Sequence, residues 1–312
     1  MTPRITKLGV LTVTAIGLLI LASSAWAADK APTAEEVKKI ADAAQGLVAA
    51  KPEKPRKLLV FSVAYGYWHD SIPCGQEAVK AMAARTGAFE ATVSDDLANF
   101  EPEKLKSFDA VFFNNVNEEI FLPAGFDKLS AEDKAKATER DAELKKSLAA
   151  FIAGGKGLAA IHAATNAFRQ WPEYGDILGA RFDNHPWGAG STVTLKIDDP
   201  THPVVKAFKG EPFKLTDEVY QVADPYSREK VRVLLSIDTA ATNMNVQGLH
   251  RKDNDFAIAW VKPCGQGRVF YSAIGHEHAL FWNPTVLQHF LDGIQFALGD
   301  LKGETKPSAS PR

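Results

Sequence analysis

The strongest constraint on the fold is a series of short apolar runs, each too brief for a helix and each followed by polar or helical sequence. Residues 57–64 (K-L-L-V-F-S-V-A) show no polar–apolar alternation and read as a strand buried on both faces. Residues 108–114 and 157–161 repeat that pattern, and residues 89–93 read as a further strand. Residues 75–87 and 102–107 between them read as helices. Residues 129–152, rich in Ala, Lys and Glu, read as a long exposed helix closed by Gly154 and Gly155. Such strand–helix alternation favours an α/β fold: a mostly parallel sheet with helices on both faces. From Ser191 the pattern changes. Residues 191–197 alternate polar and apolar as a half-exposed strand does, and residues 231–237, 256–261 and 268–274 extend an antiparallel section. A last helix is expected over residues 284–298.

The start of the chain reads as an address. Arg4 and Lys7 precede an uncharged stretch over residues 8–21, and Ala25-Trp26-Ala27 places small residues where a signal peptidase cuts. The apolar run is shorter than the roughly 20 residues a spanning helix needs. The expectation is a signal peptide over residues 1–27, a periplasmic or secreted mature protein, and no stable membrane insertion after cleavage. Residues 28–56 read as an N-terminal helix, opened by a Thr33/Glu36 capping box, and a charged, proline-broken linker. Residues 57–300 read as the α/β domain and residues 301–312 as a polar, disordered tail.

A hydrophobic fraction of 46% can build a full core, and a net charge of −2 gives no electrostatic reason to expect nucleic acid as a partner. Cys74 and Cys264 can pair or stay free as far as spacing goes. Neither has a C-x-x-C partner, so a redox or zinc-ribbon site is not expected.

In open parallel sheets, polar groups just past the carboxyl ends of strands converge on one crevice. Four histidines fall there: His69 beyond the first strand, His162 at the end of residues 157–161, and His276 and His278 after the last strand. Their imidazoles can exchange protons near neutral pH. His69, His162 and His276, with Glu218 from a polar break between strands, form the expected catalytic set. Substrate contacts are expected from Trp68, Ser71, Asn114, Asn117, Thr165, Asn166, His185, Trp187 and His278, with tryptophan faces suited to a pyranose ring. His202 reads as a turn residue, His250 as solvated, and His289 as a surface position of the last helix. No compact H-E-x-x-H spacing occurs, yet His69, His162 and His276 drawn from separate loops could hold a divalent metal such as zinc.

The step at Ile161-His162 leaves almost no room for a loop, so the side chain at its apex is presented to the crevice. The sheet pattern resembles that of class I glutamine amidotransferases, in which that apex is a cysteine and a late strand is followed by a histidine and, two residues on, a glutamate. Here the apex is His162, and the late segment is Gly275-His276-Glu277-His278. Thiol-based glutamine hydrolysis is argued against, because imidazole does not replace a thiolate as acyl carrier in that arrangement.

Five segments carry a closer resemblance: Trp68-His-Asp-Ser-Ile72, Gly154-Gly-Lys-Gly-Leu-Ala-Ala-Ile-His-Ala-Ala-Thr165, Asp199-Pro-Thr-His-Pro203, Thr216-Asp-Glu-Val-Tyr220 and Gly267-Arg-Val-Phe-Tyr-Ser-Ala-Ile-Gly-His276. Over residues 57–299 the chain resembles the trehalose-utilisation (ThuA-like) family. The resemblance implies a flavodoxin-like, amidotransferase-like fold and a carbohydrate partner, in pathways where glucosides are oxidised to 3-keto sugars and then cleaved or isomerised. Two functional readings stay open beside a metal-dependent hydrolase. One is an exported enzyme in which His162 and His276 exchange protons while His69 polarises an oxygen; the other is a sugar-binding accessory protein that performs no chemistry.

Overall fold

Nine strands form one sheet, in the order β2-β1-β3-β4-β9-β8-β7-β5-β6. The computed structural model describes residues 31–307. β1 (Lys57–Phe61), β2 (Glu90–Val93), β3 (Ala110–Asn114), β4 (Gly157–Ile161) and β9 (Gly267–Ser272) run parallel. β5 (Arg181–Ile197), β6 (Phe213–Ala223), β7 (Arg232–Ile237) and β8 (Ala257–Cys264) add the antiparallel half. The parallel half has the flavodoxin-like order, with β9 as its fifth strand, so the chain reverses its direction of winding between β1 and β3. Their carboxyl ends open a crevice there.

β1, β3 and β4 are buried almost throughout because helices cover both faces, which is why their sequences show no alternation. β6 behaves differently. Side chains alternate across a strand, so Asp217 and Glu218 project to opposite faces while Glu218 and Tyr220 share one. The long β5 bends through three register shifts between Phe182 and Ser191, and these carry His185 and Trp187 around the edge of the sheet.

The helices are α1 (Ala34–Ala44), α2 (Ile72–Thr86), the single turn α3 (Pro102–Leu105), α4 (Ala131–Ala153), α5 (Pro172–Leu178) and α6 (Pro284–Leu298). α4 forms where a long exposed helix is expected, but it is not exposed all round. Leu144, Leu148, Phe151 and Ile152 are buried at helical spacing and seat it on the sheet. α6 is buried on nearly every side. His289 therefore does not lie on a helix surface: it is fully enclosed, with Nδ1 on the Val204 carbonyl at 2.9 Å and Nε2 3.2 Å from Ser272 Oγ.

The residues before β1 pack as part of the same compact unit, which begins at Pro32. Val48 and Ala50 exchange hydrogen bonds with Gln288 and Gln295 of α6, and Arg56 grips Asp300 with two guanidinium nitrogens. Leu301 packs against the core, so the segment beyond α6 is ordered at its start. Cys74 and Cys264 are both free thiols. No described helix is long and apolar enough to cross a membrane. The signal segment at residues 1–27 and the last five residues of the tail lie outside the described residues.

Candidate active site

Four strand ends and one strand face build the site. After β4 the chain turns into a short 3-10 helix, and His162, its first residue, takes a left-handed backbone conformation with φ 45°. This conformation is uncommon for a residue bearing a Cβ. It is held by bonds to the His162 carbonyl, which accepts from Tyr271 Oη at 2.7 Å and Thr165 Oγ1 at 3.4 Å. Gly275 leaves the room required: a Cβ there would lie 3.2 Å from the Cβ of His162. The imidazole is thus fixed by its own backbone and by three residues around it.

His69 and His276 meet it. Ring centroids lie 4.9 Å apart for His69 and His162, 5.3 Å for His69 and His276, and 5.5 Å for His162 and His276. Three residues widely separated in the chain are therefore neighbours at the carboxyl edge. Glu218 approaches from β6, with Oε2 3.5 Å from His162 Nε2, and its other oxygen is 3.4 Å from His185 Nδ1. Tyr220 stacks on His162 at 4.2 Å. Tyr67 is exposed and lies edge-on to His69 at 4.8 Å, forming one wall of the entrance.

The proton on His162 can be placed. Nδ1 lies 2.8 Å from the Ala273 carbonyl, which can only accept, so Nδ1 carries the hydrogen and Nε2 presents a lone pair. That lone pair is buried and faces the Glu218 carboxylate without a hydrogen bond. Nδ1 of His69 is likewise buried with no hydrogen-bond partner. Burial, aided by the neighbouring His162 and His276, pushes His69 down to about 3, and burial also holds His162 below the ordinary imidazole value. Burial works against the charge on Glu218 too, but the neighbouring His162, His276 and His185 keep it below the usual carboxylate range. Two neutral imidazoles and an anion thus converge on one spot. Their donor atoms all lie within 4.8 Å of one another.

This is a two-histidine, one-carboxylate donor set of the kind that holds a catalytic divalent cation with a coordination position left open. The Ala273 carbonyl on His162 Nδ1 fixes its tautomer, as carbonyls bonded to the far nitrogen of metal-binding histidines do. The convergent set is His69, His162 and Glu218; His276 stands beside it and is not one of the three.

The low value for His69 carries a prediction about pH. The imidazole is expected to stay neutral from pH 8 down to about pH 4, and to protonate only as the pH approaches its depressed value. Nitrogen-15 chemical shifts followed across that range check it, and a midpoint near the ordinary 6.5 would contradict the buried geometry.

The other expected contact residues divide. Asn117 Nδ2 donates to the Tyr65 and Tyr67 carbonyls and its Oδ1 accepts from Asn166, so this pair shapes the loop that carries His69. Ser71 donates to the Gly275 carbonyl at 2.8 Å. Asn114 is fully buried beneath the first turn of α2, bonded to Ser62 and to the Ile72 carbonyl, and Trp187 is buried against Phe256 with its indole on the Asn243 carbonyl. Trp68 is half-buried beside His69. His278 lies in a separate cluster with Glu36, Cys74 and Asp70. His202 caps a 3-10 helix through Val204 N, and His250 pairs with Asp183 at the surface.

Two residues outside the expected set hold the site together. Asn115, itself at φ 55°, donates to the Gly275 carbonyl and accepts from Ala163 N. Asp217 is fully buried and accepts from the backbone N–H groups of Gly275, His276 and Glu277 at 2.9 to 3.0 Å. Burial pushes its carboxyl up to about 8. The three N–H groups only donate and give a carboxyl proton no acceptor, so they favour the ionised form. The sequence signal for Asp217 was its place in Thr216-Asp-Glu-Val-Tyr220; Asn115 had none.

The trehalose-utilisation family model, ThuA, matches residues 57–297, a span that takes in His69, His162, Glu218 and His276. The chain belongs to the ThuA family. Among solved structures, a ThuA-like protein of Bacteroides uniformis ATCC 8492 superposes with a TM-score of 0.59 at 21% identity, covering 81% of this chain and 95% of that one. A ThuA-like protein of Parabacteroides merdae ATCC 43184 gives 0.54 at 17% identity, covering 80% and 93%. At these identities the likeness is one of fold. No curated protein matches the sequence significantly. In this ThuA chain neither thiol occupies the place of an amidotransferase nucleophile. Cys264 sits at the opposite end of the sheet, where β8 turns into β9, and Cys74 lies in the first turn of α2.

Proposed function

We propose that this ThuA-family protein is a carbohydrate-active enzyme whose His69–His162–Glu218 centre holds a divalent cation, and that its substrate is a sugar or 3-keto-glycoside. The observation that carries the reading is the convergence of His69, His162 and Glu218, whose ligand atoms lie within 4.8 Å of one another, with His69 Nδ1 and His162 Nε2 both buried and free of hydrogen bonds. Buried polar atoms are normally satisfied, so two such atoms facing an anion call for a cation. When bound, the ion supplies Lewis-acid polarisation of a sugar hydroxyl or carbonyl oxygen.

The chain's own residues do the rest. His276, adjacent to both imidazoles but outside the donor set, is placed to take or return a proton at a carbon or oxygen next to the polarised one. Tyr67 gives a pyranose ring an exposed aromatic face at the entrance, and His185 reaches Glu218 from the solvent side. This chemistry suits elimination, hydration, isomerisation or hydrolysis. The family description, trehalose utilisation, supports the substrate class. Delivery to the periplasm or beyond through residues 1–27 is part of the same proposal, and the mass of the mature N-terminus checks it.

Chelation tests the centre. Stripping the purified protein of metal is expected to abolish turnover of a 3-keto-glucoside, and zinc or manganese to restore it. Full activity in the stripped protein would return the histidines to metal-free proton transfer. Saturable sugar binding with no turnover in either form would make the protein a binding accessory.

A further inference from the structure

A second cluster lies at the shoulder of the site, built by three elements the chemistry above does not use. Glu36 comes from α1, Cys74 from the first turn of α2, and His278 from the 3-10 helix that follows the His276 loop. Donor atoms of all three lie within 4.8 Å of one another. Glu36 has two tasks: Oε2 closes the Thr33 capping box, while Oε1 lies 2.7 Å from His278 Nδ1. Sγ of the fully buried Cys74 is 3.8 Å from the same nitrogen. The exposed Asp70 places Oδ1 3.1 Å from the other ring nitrogen, Nε2.

The geometry points to a second metal site, in which Cys74 Sγ, His278 Nδ1 and Glu36 Oε1 bind one thiophilic divalent cation such as zinc, with a fourth position open. Two observations support it. The Sγ to Nδ1 separation suits adjacent ligands of a tetrahedral ion with metal–nitrogen and metal–sulfur bonds of about 2.0–2.3 Å. Asp70 stands 3.1 Å from Nε2 without hydrogen-bonding to it, on the side where metal-binding histidines characteristically carry a carboxylate. Burial and the charges of Glu36 and Asp70 push Cys74 up to about 12, so without a cation it remains a thiol. On binding, the ion displaces the proton shared by His278 Nδ1 and Glu36, and both that proton and the Cys74 proton leave to solvent.

Such an ion would tie α1 to the two loops that carry His69 and His276, because Asp70 directly follows His69 and His278 is two residues beyond His276. The inference does not depend on the proposed function. The His69–His162–Glu218 set contains only nitrogen and oxygen donors, so sulfur distinguishes the two sites.

Cobalt(II) titration of the metal-stripped, full-length protein is the test. A thiolate-to-cobalt charge-transfer absorption is expected in the near ultraviolet, with a saturating amplitude corresponding to one cobalt–thiolate site. It should vanish in Cys74→Ser, weaken at least tenfold in apparent affinity in His278→Ala, and persist in Glu218→Gln. Circular dichroism confirms that each variant is folded, and the wild-type spectrum decides the question even where a variant is not. No thiolate band in the wild type, or a band that survives Cys74→Ser, overturns the proposal. In the first case His278 is an imidazolium bridge between Glu36 and Asp70; in the second the sulfur belongs to Cys264.

Discussion

Replacing Glu218 with glutamine is expected to lower kcat/KM on a 3-keto-glucoside by about two to four orders of magnitude, the range seen when a positioned catalytic group is removed. Folding should be unharmed. The substitution is isosteric, and the new amide can donate to His162 Nε2, the lone pair that faces Glu218 at 3.5 Å. That bond closes the gap a cation would fill. The thermal midpoint is therefore expected to hold or rise while cation binding at this centre is lost. Activity within about threefold of wild type would remove Glu218 from the machinery and with it the cation centre. A paired fall in stability and activity would instead assign Glu218 a packing role.

The larger structural effect is expected at the neighbouring residue. Asp217→Ala leaves the N–H groups of Gly275, His276 and Glu277 without their acceptor, and each buried unsatisfied donor costs about 1–3 kcal/mol. Urea unfolding should show a loss of at least about 3 kcal/mol. Asp217→Asn should fall between this and wild type, because one oxygen still accepts while the new NH2 opposes a donor. Turnover should drop in both, since the loop they release carries His276. A loss under about 1 kcal/mol in the alanine variant would show that other contacts hold this loop.

The parallel strands were legible because burial on both faces leaves uninterrupted apolar runs, and the antiparallel section because one exposed face restores alternation. The place of His162 was legible for a related reason: β4 ends at Ile161, so the next residue has to lie at the sheet edge. Other parts were hidden for identifiable physical causes. His289 has the polarity of a surface residue, but α6 is enclosed on nearly all sides and two acceptor or donor groups satisfy the ring. The buried stripe of α4 was masked by the Ala, Lys and Glu that dominate its composition. Glu218 read as a carboxylate of the catalytic set in a polar break, but its partner was not legible. Its pairing with His162 depends on β6 crossing the sheet edge beside β4's exit, a long-range fact that spacing along the chain does not encode. Asn115 adopts a left-handed backbone that asparagine tolerates but does not announce.

The strand between β4 and β8 is also the last of the described strands in chain order. β9 is the seam on which the parallel and antiparallel halves join. Until residues 267–272 emerge, each half has an open edge of unpaired backbone groups, and neither can zip to the other. The sheet is thus closed from its middle by its latest arrival, and the His276 segment follows directly behind that closure. The sheet of a nascent chain would stay unfinished, with two open edges, until this strand had been made.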